Sequence, residues 1–342
     1  MRKKLLGLAS VFLLGSMSSC WHVGDPWNGG HPTQNVSIDT VDVQQIVLEK
    51  ENLFPEGIAY DLESKQVFLS AYKEGAIYSY DHKGQLVKVF ESDLMISPGG
   101  VKIDQKRNLM YVAVGAIGVS DKYANAENGA LTALAVYDLK TKEQVNWIDL
   151  TSLGELPCYG NDICLDQYGN VYMTDSQRPV VYKISKEGEA EVLAQSDQFS
   201  GFPFNLNGIT YHPDGFILTV QMGSGILFKI DTETGSVAEV AHDTDLRGGD
   251  GINLINENQL IVAQAYEVQE DGSWSLGALK MLETDNDWSS ASMTFKTTKG
   301  MNGPTNTEVI NDNLLVVQSY IGSKLFAGQS QSQFEITKYK LK

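Results

Sequence analysis

Four side chains that carry oxygen donors stand at like places in this sequence: Glu56, Asn161, Asn207 and Asp250. Each belongs to a short stretch in which a small or polar pair precedes an apolar run. The stretches are Phe54 to Asp61 (FPEGIAYD), Gly160 to Asp166 (GNDICLD), Asn207 to Gly215 (NGITYHPDG) and Gly249 to Asn253 (GDGIN). Pro98 to Asp104 (PGGVKID) echoes them with Gly99 in the leading place. Two carboxylates and two amides are hard donors. They suit one divalent cation, Ca2+ first, with Mg2+ or Mn2+ as alternatives. Zn2+ also takes carboxylate, but no histidine belongs to the set. Taken singly, Asn207-Gly208 and Gly249-Asp250-Gly251 read equally well as ordinary turns. The shared position within one repeated module separates the metal reading from that one.

The module has to bring these side chains together. After each leading residue come short strand signals broken by tight turns, as in Gln66 to Ala71, Ala76 to Tyr80 and Gln85 to Glu91. The leading places are Glu56, Gly99, Asn161, Asn207, Asp250 and a sixth near Gly303. A spacing of about 45 residues with loop insertions is the period of propeller blades. Gly115 to Thr132 is such an insertion. Val41 to Leu48 is expected to close the domain by pairing with the last strand, Glu335 to Leu341. The fold expected is all-β, a six-bladed β-propeller over residues 41–342. Innermost strands of a propeller line its central channel, so the four donors would meet on one ion at the axis.

Composition narrows the function. The chain has 342 residues and a net charge of −17, with 43 acidic against 26 basic residues. Such a surface repels nucleic acid and anionic membranes, and no basic cluster offsets it. There is no GxSxG elbow, no HExxH, no phosphate-binding loop and no dinucleotide fingerprint. His82 and His212 sit in turn signals and are expected to face solvent; His242 reads as structural. Asp285-Asn286-Asp287 lacks the Gly and terminal Glu of a calcium loop. Arg2, Lys3 and Lys4, then Leu5 to Leu14, then small residues before Cys20, read as an export signal over 1–19. The last part resembles a bacterial lipobox, with Met17 where Leu is usual. It implies cleavage before Cys20 and a lipid on that sulfur. The chain would then be a membrane-anchored lipoprotein facing the periplasm or the cell surface. Residues 20–40, including His22 and His31, read as a flexible tether. An oxidising compartment permits a Cys158–Cys164 disulfide, with two free thiols as the alternative.

FPEGIAYD, GNDICLDQYGNVYMTD, LNGITYHPDG and GDGINLINENQLIVA, in that order, resemble the senescence-marker-protein/gluconolactonase/LRE-like family from about Asn52 to Leu341. The resemblance implies a six-bladed propeller with one divalent metal and hydrolysis of a lactone or ester. It makes Glu56, Asn207 and Asp250 metal ligands, with Asp250 also the general base, and puts Asn161 beside metal and substrate. Sugar-lactonase members carry Arg two residues before the Asn of Asn-Asp. Tyr159 stands there instead, as a candidate substrate contact. With Phe202, Phe204, Met222, Tyr266 and Met301 it suggests a less polar rim. The ion would polarise the carbonyl and activate water. The alternative is a non-catalytic surface or periplasmic propeller, binding a small molecule or glycan with a structural ion. Either would be a monomer.

Overall fold

Short apolar runs set between turn residues bury little surface alone and must pair with their neighbours. In a computed structural model the described residues are 32, 34–81 and 84–342. The expected signal segment, Cys20, His22, His31 and His82 lie outside them. The chain opens with β1 (Ile38–Glu49). The first meander is β2 (Pro55–Asp61), β3 (Gln66–Ala71), β4 (Ala76–Tyr80) and β5 (Leu86–Glu91). The second is β6 (Ser97–Asp104), β7 (Leu109–Gly115), β8 (Thr132–Asp138) and β9 (Gln144–Asp149). The third is β10 (Gly160–Leu165), β11 (Val171–Asp175), β12 (Val180–Ile184) and β13 (Ala190–Gln195). The fourth is β14 (Leu206–His212), β15 (Phe216–Gln221), β16 (Leu227–Asp231) and β17 (Val237–His242). The fifth is β18 (Gly249–Asn256), β19 (Gln259–Val268), β20 (Trp274–Glu283) and β21 (Ser290–Thr297). The last holds β22 (Pro304–Ile310), β23 (Asn313–Gln318), the helix α1 (Ile321–Ala327) and β24 (Gln333–Leu341).

Within each meander successive strands pair antiparallel, and β1 supplies the fourth strand of the last one by pairing with β24. The closure expected for Val41 to Leu48 is therefore present. The strand starts earlier, at Ile38, inside the segment expected to be a tether. Asn35 and Val36 are also held, by Glu283 and Gln259, and Ser37 and Lys342 exchange backbone hydrogen bonds. The reason is apolar: Val36, Ile38 and Val43 pack with Ile255, Met281 and Tyr339. A short parallel pairing of β17 with β21 joins the fourth and fifth meanders into one eight-stranded sheet.

The first strands of the meanders touch in a closed ring: β2 with β6, β6 with β10, β10 with β14, β14 with β18, β18 with β22, and β22 with β2. That is a β-propeller arrangement. The core lies between facing meanders. Ala59, Phe68 and Ile77 of the first pack on Met110, Val112 and Ala135 of the second. Each fully buried Phe or Leu there stabilises the stack by roughly 1.5–3 kcal/mol. Outer strands are polar on their exposed faces, which is why β9 and β21 did not stand out as strands. Gln144 and Asn146 are exposed in β9, for example. Cys158 lies in a loop and Cys164 in β10, and both are free thiols.

Candidate functional site

Every inner strand breaks its ladder at the same point. Pro55 pairs with Ala71, but the next pair is Ile58 with Leu69, so one extra residue is accommodated on β2. The same shift falls after Pro98, Gly160, Leu206, Gly249 and Pro304. Such a bulge turns a side chain out of the pleat and is common beside functional sites. The bulged pairs are Glu56-Gly57, Gly99-Gly100, Asn161-Asp162, Asn207-Gly208, Asp250-Gly251 and Thr305-Asn306. The sixth leading place, expected near Gly303, is Thr305. Gly303 precedes the strand in a left-handed conformation (φ 69°), and Pro304 opens β22. Gly recurs in the second place for a steric reason. A Cβ at Gly57 would meet the carbonyl oxygen of Gly99, and one at Gly208 that of Asp250.

Glu56, Asn161, Asn207 and Asp250 all line one cavity of about 480 Å³, and so does Tyr159. All five are buried. Supporting side chains fix how the amides point. Ser176 Oγ donates its single proton to Leu206 O, so it must accept from Asn161 Nδ2 (2.7 Å), which leaves Asn161 Oδ1 for the cavity. Met222 Sδ can only accept, so it too holds an amide nitrogen, Asn207 Nδ2 (3.4 Å). Asn207 Oδ1 is then buried without a hydrogen-bond partner. Ser319 Oγ donates to Glu56 Oε2 at 3.3 Å. Ser176, Met222 and Ser319 occupy equivalent places, each directly after the second strand of its meander.

The electrostatics are unbalanced. Burial pushes the Glu56 carboxyl up to about 8; the charge of Asp162 adds to this and the Ser319 hydrogen bond opposes it. Burial, then Glu56 and Asp162, push Asp250 well above the usual carboxylate range. Among the described residues lining the cavity, no side chain is cationic. Arg247, near Asp250 in sequence, is held by the Asp245 carboxylate. No trio of His, Cys, Asp or Glu gathers among the described residues to hold an ion. A cation here would depend on the two amide oxygens as much as on the two acids.

Tyr159 and Tyr72 share a hydrogen bond between their hydroxyls at the cavity wall, and burial raises both phenols well above 10. Tyr159 is anchored by its own N–H, which donates to Asp175 Oδ1 at 2.9 Å. Its ring lies where Gly115 has no side chain. Phe204, Met222 and Tyr266 also line the cavity. Phe202 does not: it is 89% exposed. Met301 packs in the core beside Tyr339 instead. His212 is 3% exposed, stacked on Phe216 with Nε2 against Glu257 O, contrary to a solvent-facing turn. Its turn begins one residue later, at Pro213.

Several contributors escaped the sequence. Tyr72 follows β3 in the place that Ser176, Met222 and Ser319 hold elsewhere, so aligning second strands would have found it. Asp162 lies in the second bulged position, where four meanders have Gly; its Oδ1 accepts from Ile163 N and its Oδ2 is buried and unpartnered. Nothing in the sequence marked α1, whose Ile321, Ser323 and Leu325 line the cavity.

Comparison with models of known protein families found no match, and comparison with curated protein sequences found none either. Solved structures do match. The major allergen Mala s 1 of Malassezia sympodialis aligns at a TM-score of 0.67 and 17% identity, over 87% of this chain and 96% of that one. A gluconolactonase from Xanthomonas campestris aligns at 0.59 and 12% identity, over 92% and 97%. A luciferin-regenerating enzyme aligns at 0.59 and 12%, over 87% and 95%. At these identities the likeness establishes a shared fold, that of gluconolactonase-like and luciferin-regenerating-enzyme-like propellers.

Proposed function

We propose that the six meanders are the blades of a six-bladed propeller and that the chain is a divalent-metal-dependent hydrolase of lactones or esters. One observation carries this: four bulges on four inner strands present Glu56, Asn161, Asn207 and Asp250 to one cavity that contains no cationic side chain. Two buried carboxyls that repel each other, beside an amide oxygen with no partner, fit a hard cation, Ca2+ first. When bound, such an ion supplies Lewis acidity toward a carbonyl oxygen and acidifies water.

The chain's own residues do the rest. Ser176 and Met222 hold the amides with their oxygens inward. Ser319 holds Glu56. Asp250 takes the proton from the attacking water, and Tyr159 with Tyr72 offers a phenol hydrogen bond to the substrate. The test is to strip the metal, then assay lactones and aryl esters with Ca2+, Mn2+ and Zn2+ restored. Turnover that returns with metal supports the hydrolase.

A second reading has its own support. Glu56 and Asp250 are the only carboxylates among the described lining residues, so an ion would engage both and leave no separate base. The propeller would then bind a small molecule or glycan around a structural ion, and the same experiment would give binding without turnover. Export and anchoring through Cys20 are part of the proposal in either case. Labelled palmitate should be incorporated by the chain and not by its Cys20→Ala variant.

A further inference from the structure

The cavity has two zones. The donors form its floor. Its outer half is walled by Phe204, Trp274, Leu276, Ile321 and Leu325. These come mainly from α1 and the extended β19–β20 hairpin, which are additions to the repeating meander. Two polar groups of the outer half already have partners, while Asn302 and Ser323 also line the cavity. Tyr320 Oη donates to Glu335 (2.7 Å), Gln269 Nε2 donates to Ser275 Oγ (2.7 Å), and the Tyr266 ring stacks on Trp274 with centroids 4.7 Å apart. Trp274 and Leu276 nevertheless remain 52% and 65% exposed at a concave mouth.

We infer that the outer half takes an apolar alkyl or aryl group of a ligand that bears no negative charge, its carbonyl end directed to the floor. The inference rests on the proposed function only for the floor. A polyhydroxylated ring would lose water against these five apolar walls and could regain hydrogen bonds there only at Ser275, Asn302 and Ser323, which disfavours it. Among the described lining residues an anionic ligand would find no counter-charge. Arg247 is taken by Asp245; Lys280 donates to Asp245 O and pairs with Glu267. With a divalent ion on Glu56 and Asp250 the floor becomes neutral, not positive. A volume near 480 Å³ is of the size that encloses a compact organic molecule. The ligand class is therefore a neutral lactone or ester with an alkyl or aryl substituent, and Leu276 and Ile321 are residues that set specificity.

Calorimetric titration of the full chain tests this with four probes: γ-butyrolactone, the γ-lactone bearing a six-carbon tail, glucono-δ-lactone and gluconate. Each buried methylene strengthens binding about fourfold. With part of the tail exposed, the tailed lactone should bind at least about thirtyfold tighter than γ-butyrolactone, and both sugar compounds more weakly than the tailed lactone. A blue shift in emission that disappears in Trp274→Phe would place the tail at the mouth. Leu276→Asp, at an exposed position that tolerates charge, should cost the tailed lactone about tenfold and leave γ-butyrolactone unchanged. Leu276→Met should restore the difference. Affinity independent of the tail, equal or tighter binding of gluconolactone or gluconate, or a tail effect untouched by Leu276→Asp would overturn the inference. Tight binding of the tailed lactone without turnover would remove the hydrolase and leave this inference standing. Turnover confined to gluconolactone would do the reverse.

Discussion

The two ends of the inner strands are built from the same repeat and treat charge in opposite ways. At one end the bulges place Glu56 and Asp250 in a large cavity whose described lining holds no cation. Three residues along each strand, Ala59, Lys102, Cys164, Thr210, Asn253 and Glu308 line a second, smaller cavity of about 110 Å³. There an acid has a cation nearby. Burial pushes Glu308 up to about 7, and the nearby Lys102 ammonium opposes that shift. Asp162 lies between the two ends and feels both: burial raises its pKa, Lys102 lowers it, and its charge in turn raises Glu56 and Asp250. On the reading proposed above, an acid cluster with a lysine nearby needs no further cation, whereas one without any would take a cation from solution; that difference, more than the presence of carboxylates, is what favours the Glu56 end as the ligand site.

The largest expected effect comes from breaking the unbalanced end. Asp250→Ala should abolish Ca2+ binding by calorimetry and lower lactone or ester turnover roughly a thousandfold, the scale of losing an electrostatic stabiliser; a variant with full turnover would sink the mechanism. Next is the response to pH. A carboxyl whose folded pKa is raised holds its proton in the folded state and gives it up in the unfolded one. The stability it contributes is present below the unfolded value, the usual Glu value of about 4.5, and is lost as pH rises toward about 8. The melting temperature of metal-free protein should therefore fall across that window. Saturating Ca2+ should remove the fall, and its binding should release protons at pH 7. A flat profile in metal-free protein would mean that Glu56 is ionised without help.

At the balanced end the effect should be on stability. Lys102→Met leaves Glu308 and Asp162 without their cation and should cost ~1–3 kcal/mol in urea denaturation, with Ca2+ affinity changed by less than about tenfold. A larger loss of affinity than of stability would erase the distinction between the ends. The smallest change is Tyr159→Phe, which deletes the hydroxyl bonded to Tyr72. It should cost about 1 kcal/mol in kcat/KM at most, with metal binding intact.

The donors were legible because a bulge demands a small or polar pair, and such pairs recur before apolar strands. The sixth pair, Thr305-Asn306, fits that pattern too, but the neighbouring Gly303 drew the register two residues off. Glu56, Asn161, Asn207 and Asp250 could be aligned from local pattern alone. What turns the amides inward could not, because Ser176 and Met222 act across a hairpin and their types have no meaning until the strands are paired. Likewise α1 and the β19–β20 extension are departures from the repeat, invisible to a method that reads the repeat. His212 looked like a turn residue because Pro213-Asp214-Gly215 follows it, although its ring is packed on Phe216.

The recurring bulge has one more consequence. Six equivalent places encircle the axis, and under the proposed function an ion would be chosen by what fills them. Four are filled by the donors and two are not. Gly99 is sealed, since any Cβ there would run into Asn161 O. Thr305 already carries a hydroxyl, turned back onto Glu56 O at 3.0 Å. Position 305 is thus the place in the crown where a polar side chain serves the strand beside it, steadying the backbone of Glu56 rather than facing the cavity.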